Sequence, residues 1–172
     1  MGLVSRRMML FSLVLSVGGP SLAQAPAARA PHEPGRVVFV CEHGSVKSLI
    51  ASLYFNQRAR QRGLPFEAVA RGTAPESGVP RSVRDGLREA GFDVSRYVPK
   101  PFRASDVDGA ALVVSFDQDI AAVVSGRSEL LHWDNLPAVL ADFVRGRDAI
   151  LNRVDALIEQ LAQAAHDGEH YE

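Results

Sequence analysis

From Arg36 onward, short β-branched runs alternate with stretches whose apolar residues recur at helical spacing, and this alternation constrains the fold more than any other feature. "RVVFV" (36–40) has the character of a strand buried on both faces. Val46, Leu49, Ile50 and Leu53 then repeat at helical spacing, and Gly63 provides a stop. "LPFEAVARGT" (64–73) reads as a second strand. Pro80 opens "RSVRDGLREAG", with Val83 and Leu87 on one helical face and Gly91 at its end. "GAALVVSF" (109–116) reads as a third strand with Asp117 just beyond it, "DIAAVVSG" as a short helix, and "SELLHW" (128–133) as a fourth strand. Val139, Leu140, Phe143, Val144, Ile150, Leu151, Val154, Leu157, Ile158 and Leu161 form the apolar stripe of a long last helix, with a break expected near Gly146.

Strands separated by helices imply parallel pairing through right-handed crossovers. The fold class is therefore α/β: a single-domain three-layer sandwich with a four-stranded parallel sheet and helices on both faces. The chain of 172 residues, 47% hydrophobic, is long enough for one such core. In open sheets of this kind, ligands bind outside the carboxyl ends of the strands. Cys41 directly follows the first strand, so its thiol falls where a ligand binds.

The residues before the first strand have a different character. Arg6 and Arg7, the apolar "MMLFSLVLSVGG" and the small residues Ser21 and Ala23 fit a secretory signal peptide over 1–23. "SRRMML" also resembles a twin-arginine export signal, and a short membrane anchor is the alternative. The apolar run is shorter than the roughly 20 residues that a span requires. The expectation is an exported, periplasmic protein without a membrane span after cleavage. Residues 24–35 are an Ala/Pro-rich linker, in which His32 has no assigned role; 36–165 form the domain and 166–172 a polar tail. A formal net charge of −1 argues against nucleic acid as a partner. Oligomeric state is not legible. The single cysteine rules out an internal disulfide, leaving an inert core thiol or a reactive one.

Between Cys41 and Ser48 the chain reverses from strand to helix. A tight turn there directs successive amides of Glu42, His43, Gly44, Ser45 and Val46 inward as a nest for an anion. The helix that follows adds its unpaired amides and the positive end of its dipole. Gly44 permits the close approach, while Lys47 and Ser48 bring an ammonium and a hydroxyl to the same place. Such surroundings favour thiolate over thiol, and hence a nucleophile.

"VVFVCEHGSVKS" resembles the phosphate loop of the low-molecular-weight protein tyrosine phosphatases and the related thioredoxin-coupled arsenate reductases, in which a strand leads to Cys, five residues, Arg and Ser. The resemblance extends through "ARGTAPESGVP", "LREAGFDVSRYVPKPF" and "LVVSFD", and covers about residues 36–162. It implies the same sandwich, a cysteinyl-phosphate mechanism, no cofactor, no metal, and a phosphate-, phosphoester- or arsenate-type anion as partner. It assigns the nucleophile to Cys41 and oxyanion binding to residues 42–48. Lys47 stands where the family has Arg; a guanidinium grips two oxygens in a fixed fork, whereas an ammonium is a point charge. Gly44 and His43 take the places of the family's Asn and Gly, and Val46 that of a second loop cysteine in many members. The family's general acid is an Asp followed by Pro on the loop after strand four; here Asp134 in "HWDNLPAV" is three residues before Pro137. Asp134 is either that acid or a surface Asp capping the last helix.

Other residues have alternative readings. Trp133 shields the pocket mouth or packs inside, and His132 belongs to strand four. Arg71, Thr73 and Lys100 line the pocket rim or are solvated. Asp117 supports the loop or caps the next helix. Cys41, Glu42 and His43 are too closely spaced for a closed metal site, and His166 and His170 lie in the tail. Three functions follow from the resemblance: a cysteine-dependent phosphatase, an arsenate reductase using an external thiol because no further cysteine exists, or an oxyanion- or partner-binding protein with weak chemistry.

Overall fold

The computed structural model describes residues 34–169. The expected signal peptide, His32 and His170 lie outside them. Four strands, β1 (Gly35–Cys41), β2 (Phe66–Gly72), β3 (Ala110–Ser115) and β4 (Glu129–His132), form one sheet in the order β2-β1-β3-β4. All three pairings are parallel, as the strand–helix alternation predicts. The helices are α1 (Lys47–Arg62), α2 (Arg81–Glu89), α3 (Ala104–Val107), α4 (Ala121–Val124) and α5 (Phe143–Glu169).

Side chains alternate across β1. Val37, Phe39 and Cys41 join a core with α1, α2 and α5, while Val38 and Val40 join Val107, Ile120 and Val124 on the other face. Helices therefore cover both faces, which explains why β1 carries no polar side chain between Val37 and Val40. α1 ends at Gly63, whose left-handed φ of 65° turns its amide back onto Ala59 and Arg60 carbonyls. On the outer surface, Arg58 pairs with Asp155 and Arg62 with Glu159, fastening α1 to α5. No helix of the described residues is long and apolar enough to cross a membrane.

Several boundaries differ from the sequence reading. Gly35, expected in the linker, is the first residue of β1 and pairs with Phe66. The first strand also runs one residue further, so Cys41 is its last member rather than its successor. The last helix has no break at Gly146. It begins at Phe143, and Val139 and Leu140 belong to the preceding loop. The reason is packing: a Cβ on Gly146 would lie 2.7 Å from Val139 Cα, so the glycine admits the loop against the helix. One interior glycine costs about 1 kcal/mol, and burial of Ile150, Val154, Leu157 and Ile158 outweighs it. The segment expected as a polar tail is helical as far as Glu169 and includes His166.

Candidate active site

β1 ends at the middle of the sheet, beside β3, where the strand order reverses. This is the crevice in which doubly wound sheets bind ligands. A cavity of about 280 Å³ opens there, lined by the 41–47 loop, by Phe116–Gln118 after β3, and by Leu136 and Ala138–Leu140 before α5. Cys41 is 5% exposed yet lines this cavity.

The loop's shape follows from what its carbonyls bind. Cys41, Glu42 and His43 carbonyls accept from the amides of Thr73 (3.0 Å), Ala74 (2.8 Å) and Glu76 (3.2 Å). The Gly44 carbonyl accepts from the Tyr97 hydroxyl at 2.8 Å. Four successive carbonyls are thus turned outward. Trans peptides hold C=O and N–H on opposite sides, so tying the carbonyls away frees the next amides to point the other way. Gly44 N–H reaches Cys41 Sγ at 3.2 Å. Gly44 has a φ of 68°, and the loop there passes so close to β2 that a Cβ on Gly72 would lie 2.8 Å from Gly44 N. Glycine is required on both sides of that contact.

Ser48 Oγ lies 3.0 Å from Cys41 Sγ and 3.3 Å from the Arg71 carbonyl, within reach of the sulfur as a donor. Ser45, fully buried, donates to Glu76 Oε2 at 2.7 Å. Glu42 and His43 project toward solvent, 3.8 Å apart. Val46 is the N-cap of α1 and lines the cavity. Burial, and then the neighbouring Cys41 charge, push the Tyr97 phenol up to about 12, so it remains a donor to the loop.

The structure brings Cys41 together with the rest of the loop, Lys47 and Ser48. Asp134 is placed differently: it lines an adjoining hollow with His132, Asp119, Asp117 and Gln118, and its Oδ1 accepts the Asp117 amide at 3.1 Å. Asp117, not Asp134, lines the cavity that holds Cys41, as Glu42 also does, and it is Asp117 that receives the Lys47 ammonium. Trp133 is packed inside, 5.6 Å from Phe39 and 5.5 Å from Phe116 between ring centroids. Arg71 turns away to a largely buried pair with Asp106 at 2.7 Å, in a separate groove with Lys100 and Arg103. Thr73 Oγ1 donates to Gln118 at 2.8 Å. Among the described residues, no group of three or more His, Cys, Asp or Glu is arranged to hold a metal. Tyr97 and Glu76 were beyond the sequence reading, whereas Asp117, read as supporting the loop or capping the next helix, meets the loop through Lys47. The "PES" turn before Pro80 is the one local signal of a segment fastened to the loop.

A cysteine-led strand-to-helix loop on a β2-β1-β3-β4 parallel sheet defines a class, and comparison with known proteins agrees. The low molecular weight phosphotyrosine protein phosphatase family matches residues 36–166, and the chain belongs to that family. No curated protein matches it. Among solved structures, it is similar to a thioredoxin-dependent arsenate reductase of Corynebacterium glutamicum (TM-score 0.63, 20% identity, 76% of this chain and 63% of that one). Thus it spans less than two-thirds of that reductase. It is also similar to a low molecular weight protein tyrosine phosphatase from T. tengcongensis (TM-score 0.60, 24% identity, 73% and 99%). A third likeness is to YwlE arginine phosphatase from Geobacillus stearothermophilus (TM-score 0.59, 18% identity, 81% and 99%). At these identities the likeness is one of fold.

Proposed function

We propose that the protein is an exported phosphatase hydrolysing phosphate monoesters, of the protein tyrosine phosphatase type, through a cysteinyl-phosphate intermediate. The observation that carries this reading is the loop whose carbonyls at 41–44 are all tied to other segments while the Gly44 amide donates to the Cys41 sulfur. The family match supports it, as does a fold neighbour described as an arsenate reductase in the phosphate binding state.

In the first step Cys41 Sγ attacks phosphorus as the thiolate. The S–P bond forms, the ester P–O bond breaks, and the leaving oxygen takes a proton from an acid. Amides of residues 42–48 and the Lys47 ammonium carry the charge of the three equatorial oxygens. In the second step water attacks phosphorus and gives a proton to the carboxylate left by that acid, the P–S bond breaks to release the thiolate, and inorganic phosphate leaves. Ser48, 3.0 Å from the sulfur, stabilises the thiolate released. Asp134 is the acid implied by the family; it serves in this role by leaving the Asp117 amide and turning into the cavity.

Mature protein beginning after Ala23 is the form to assay, and mass spectrometry finding an intact Met1 argues against export. Cys41→Ser is expected to abolish turnover of an aryl phosphate and the phospho-cysteine adduct. Unchanged turnover would sink the proposal. Phosphate binding without turnover in the wild type favours the second reading, an oxyanion-binding protein, which the engagement of Lys47 by Asp117 supports. Arsenate reduction requires two electrons from an external thiol, because Cys41 is the only cysteine; arsenate-dependent oxidation of added thioredoxin tests it.

A further inference from the structure

Asp117 is fixed from several sides. It follows β3 by two residues, with a φ of 52°, and its amide is held by Asp134 Oδ1 at 3.1 Å. Its Oδ1 accepts the amide of Asn135, also at 3.1 Å, and Asn135 has a φ of 62°. The two strand-end loops therefore grip each other reciprocally through two left-handed residues. Left-handed backbone costs an ordinary residue about 1–2 kcal/mol, although Asp and Asn tolerate it best. Such conformations persist where surroundings enforce them, and they gather at functional sites. What this clamp achieves is to leave Asp117 Oδ2 facing the Lys47 ammonium at the edge of the Cys41 cavity.

Lys47 is the ammonium lining that cavity, at the first residue of α1. A guanidinium offers five donors in a plane and can serve a carboxylate and an oxyanion together, whereas an ammonium is one compact charge. Whatever holds it takes it from a competing anion.

We propose that Asp117 is an internal competitor for Lys47 that determines how tightly the loop holds a tetrahedral oxyanion: the carboxylate retains the ammonium until the anion displaces it. This rests on the reading of the 41–48 loop as an oxyanion site. The pair is partly solvated, with 23% and 42% of the side chains exposed, so its effect is that of a screened ion pair. An anion that meets Lys47 must also face the charge of Asp117. The site therefore selects against weakly held oxyanions more strongly than its amides alone would.

The test uses the full chain and measures how inorganic phosphate slows alkylation of Cys41, yielding an apparent Kd. Asp117→Asn keeps an oxygen for the Asn135 amide and tolerates the positive φ; Asp117→Gly suits that φ and removes the side chain. Both are expected to tighten phosphate binding about threefold to fivefold, the scale of a partly exposed ion pair. In a Lys47→Met background the same changes are expected to lose most of that gain, which a double-mutant cycle reads directly. An equal gain with Met at 47 would reduce Asp117 to general charge repulsion and overturn the proposal. Unchanged or weaker binding in both Asp117 variants overturns it too, while leaving the anion site standing. Failure of phosphate to protect Cys41 in the wild type and every variant removes the anion-site reading along with it.

Discussion

Gly44 donates its amide to the Cys41 sulfur while its carbonyl accepts from Tyr97, so one phenol orients the peptide groups nearest that sulfur. In the proposed reaction Tyr97 is a positioning residue, because its contact is with the loop backbone. Its folded pKa, raised to about 12 chiefly by burial, lies above the unfolded value of about 10. The protonated phenol is therefore favoured by folding. Its stabilisation is complete below pH 10 and is lost as pH rises toward 12. Tyr97→Phe is expected to lower stability by about 1 kcal/mol near neutral pH, the net value of one hydrogen bond. Denaturant unfolding of both proteins at pH 8 and pH 11 checks this, because the wild type should lose stability between them that the variant does not. Parallel alkaline slopes would refute the assignment. Nothing in the spacing of the chain marks Tyr97, which stands 53 residues from Gly44 and meets it only after β2 and α2 have been laid down.

At the scale of elements, the loop owes its position to the turn that follows β2. Amides of Thr73, Ala74 and Glu76 fasten its carbonyls, and Gly72 lets the two segments touch. Gly72→Ala would place a Cβ 2.8 Å from Gly44 N and 2.9 Å from the Glu42 carbonyl, all backbone with no flexible end to yield. We expect a loss of about 1–3 kcal/mol, as for other overpacked sites, together with weaker phosphate protection of Cys41. Gly78→Ala, in open space within the same connection, is the control and should be near neutral. Comparable melting of the two variants would show that the contact is not tight. This contrast marks what the sequence makes legible. The sheet, its parallel sense and the Cys41 loop are written in local periods: β-branched runs, helical stripes and a cysteine at a strand end. The reciprocal grip of Asp117 with Asp134 and Asn135 is not, because it depends on β3 and β4 ending level, with Ser115 opposite His132. The Gly146 reading failed for the same reason. Glycine in a helical pattern signals either a break or a close neighbour, and only tertiary packing against Val139 decides.

For the molecule as a whole, the site joins three otherwise separate connections: the β1–α1 loop, the end of β3, and the segment before α5 that supplies Leu136, Val139 and Leu140. An anion held there binds only the native arrangement, since unfolding scatters the amides, Lys47 and the cavity wall. Binding then stabilises folding by RT ln(1 + [L]/Kd), about 2.7 kcal/mol at a hundredfold excess over Kd. For a domain of this size that corresponds to a rise on the order of 10 °C in the melting midpoint. Inorganic phosphate is expected to produce such a rise at constant ionic strength against chloride. Lys47→Met should reduce it, while Arg153→Met, in a different hollow beside Trp133, should leave it intact. Differential scanning fluorimetry at several phosphate concentrations measures the dependence. If phosphate and chloride shift the midpoint equally, or Arg153→Met weakens the response as much as Lys47→Met, ordinary ion effects explain it. A phosphate-specific rise that depends on Lys47 requires the loop to bind as part of the assembled fold, because residues 41–47 and 116–118 are brought to one cavity only by the pairing of β1 with β3.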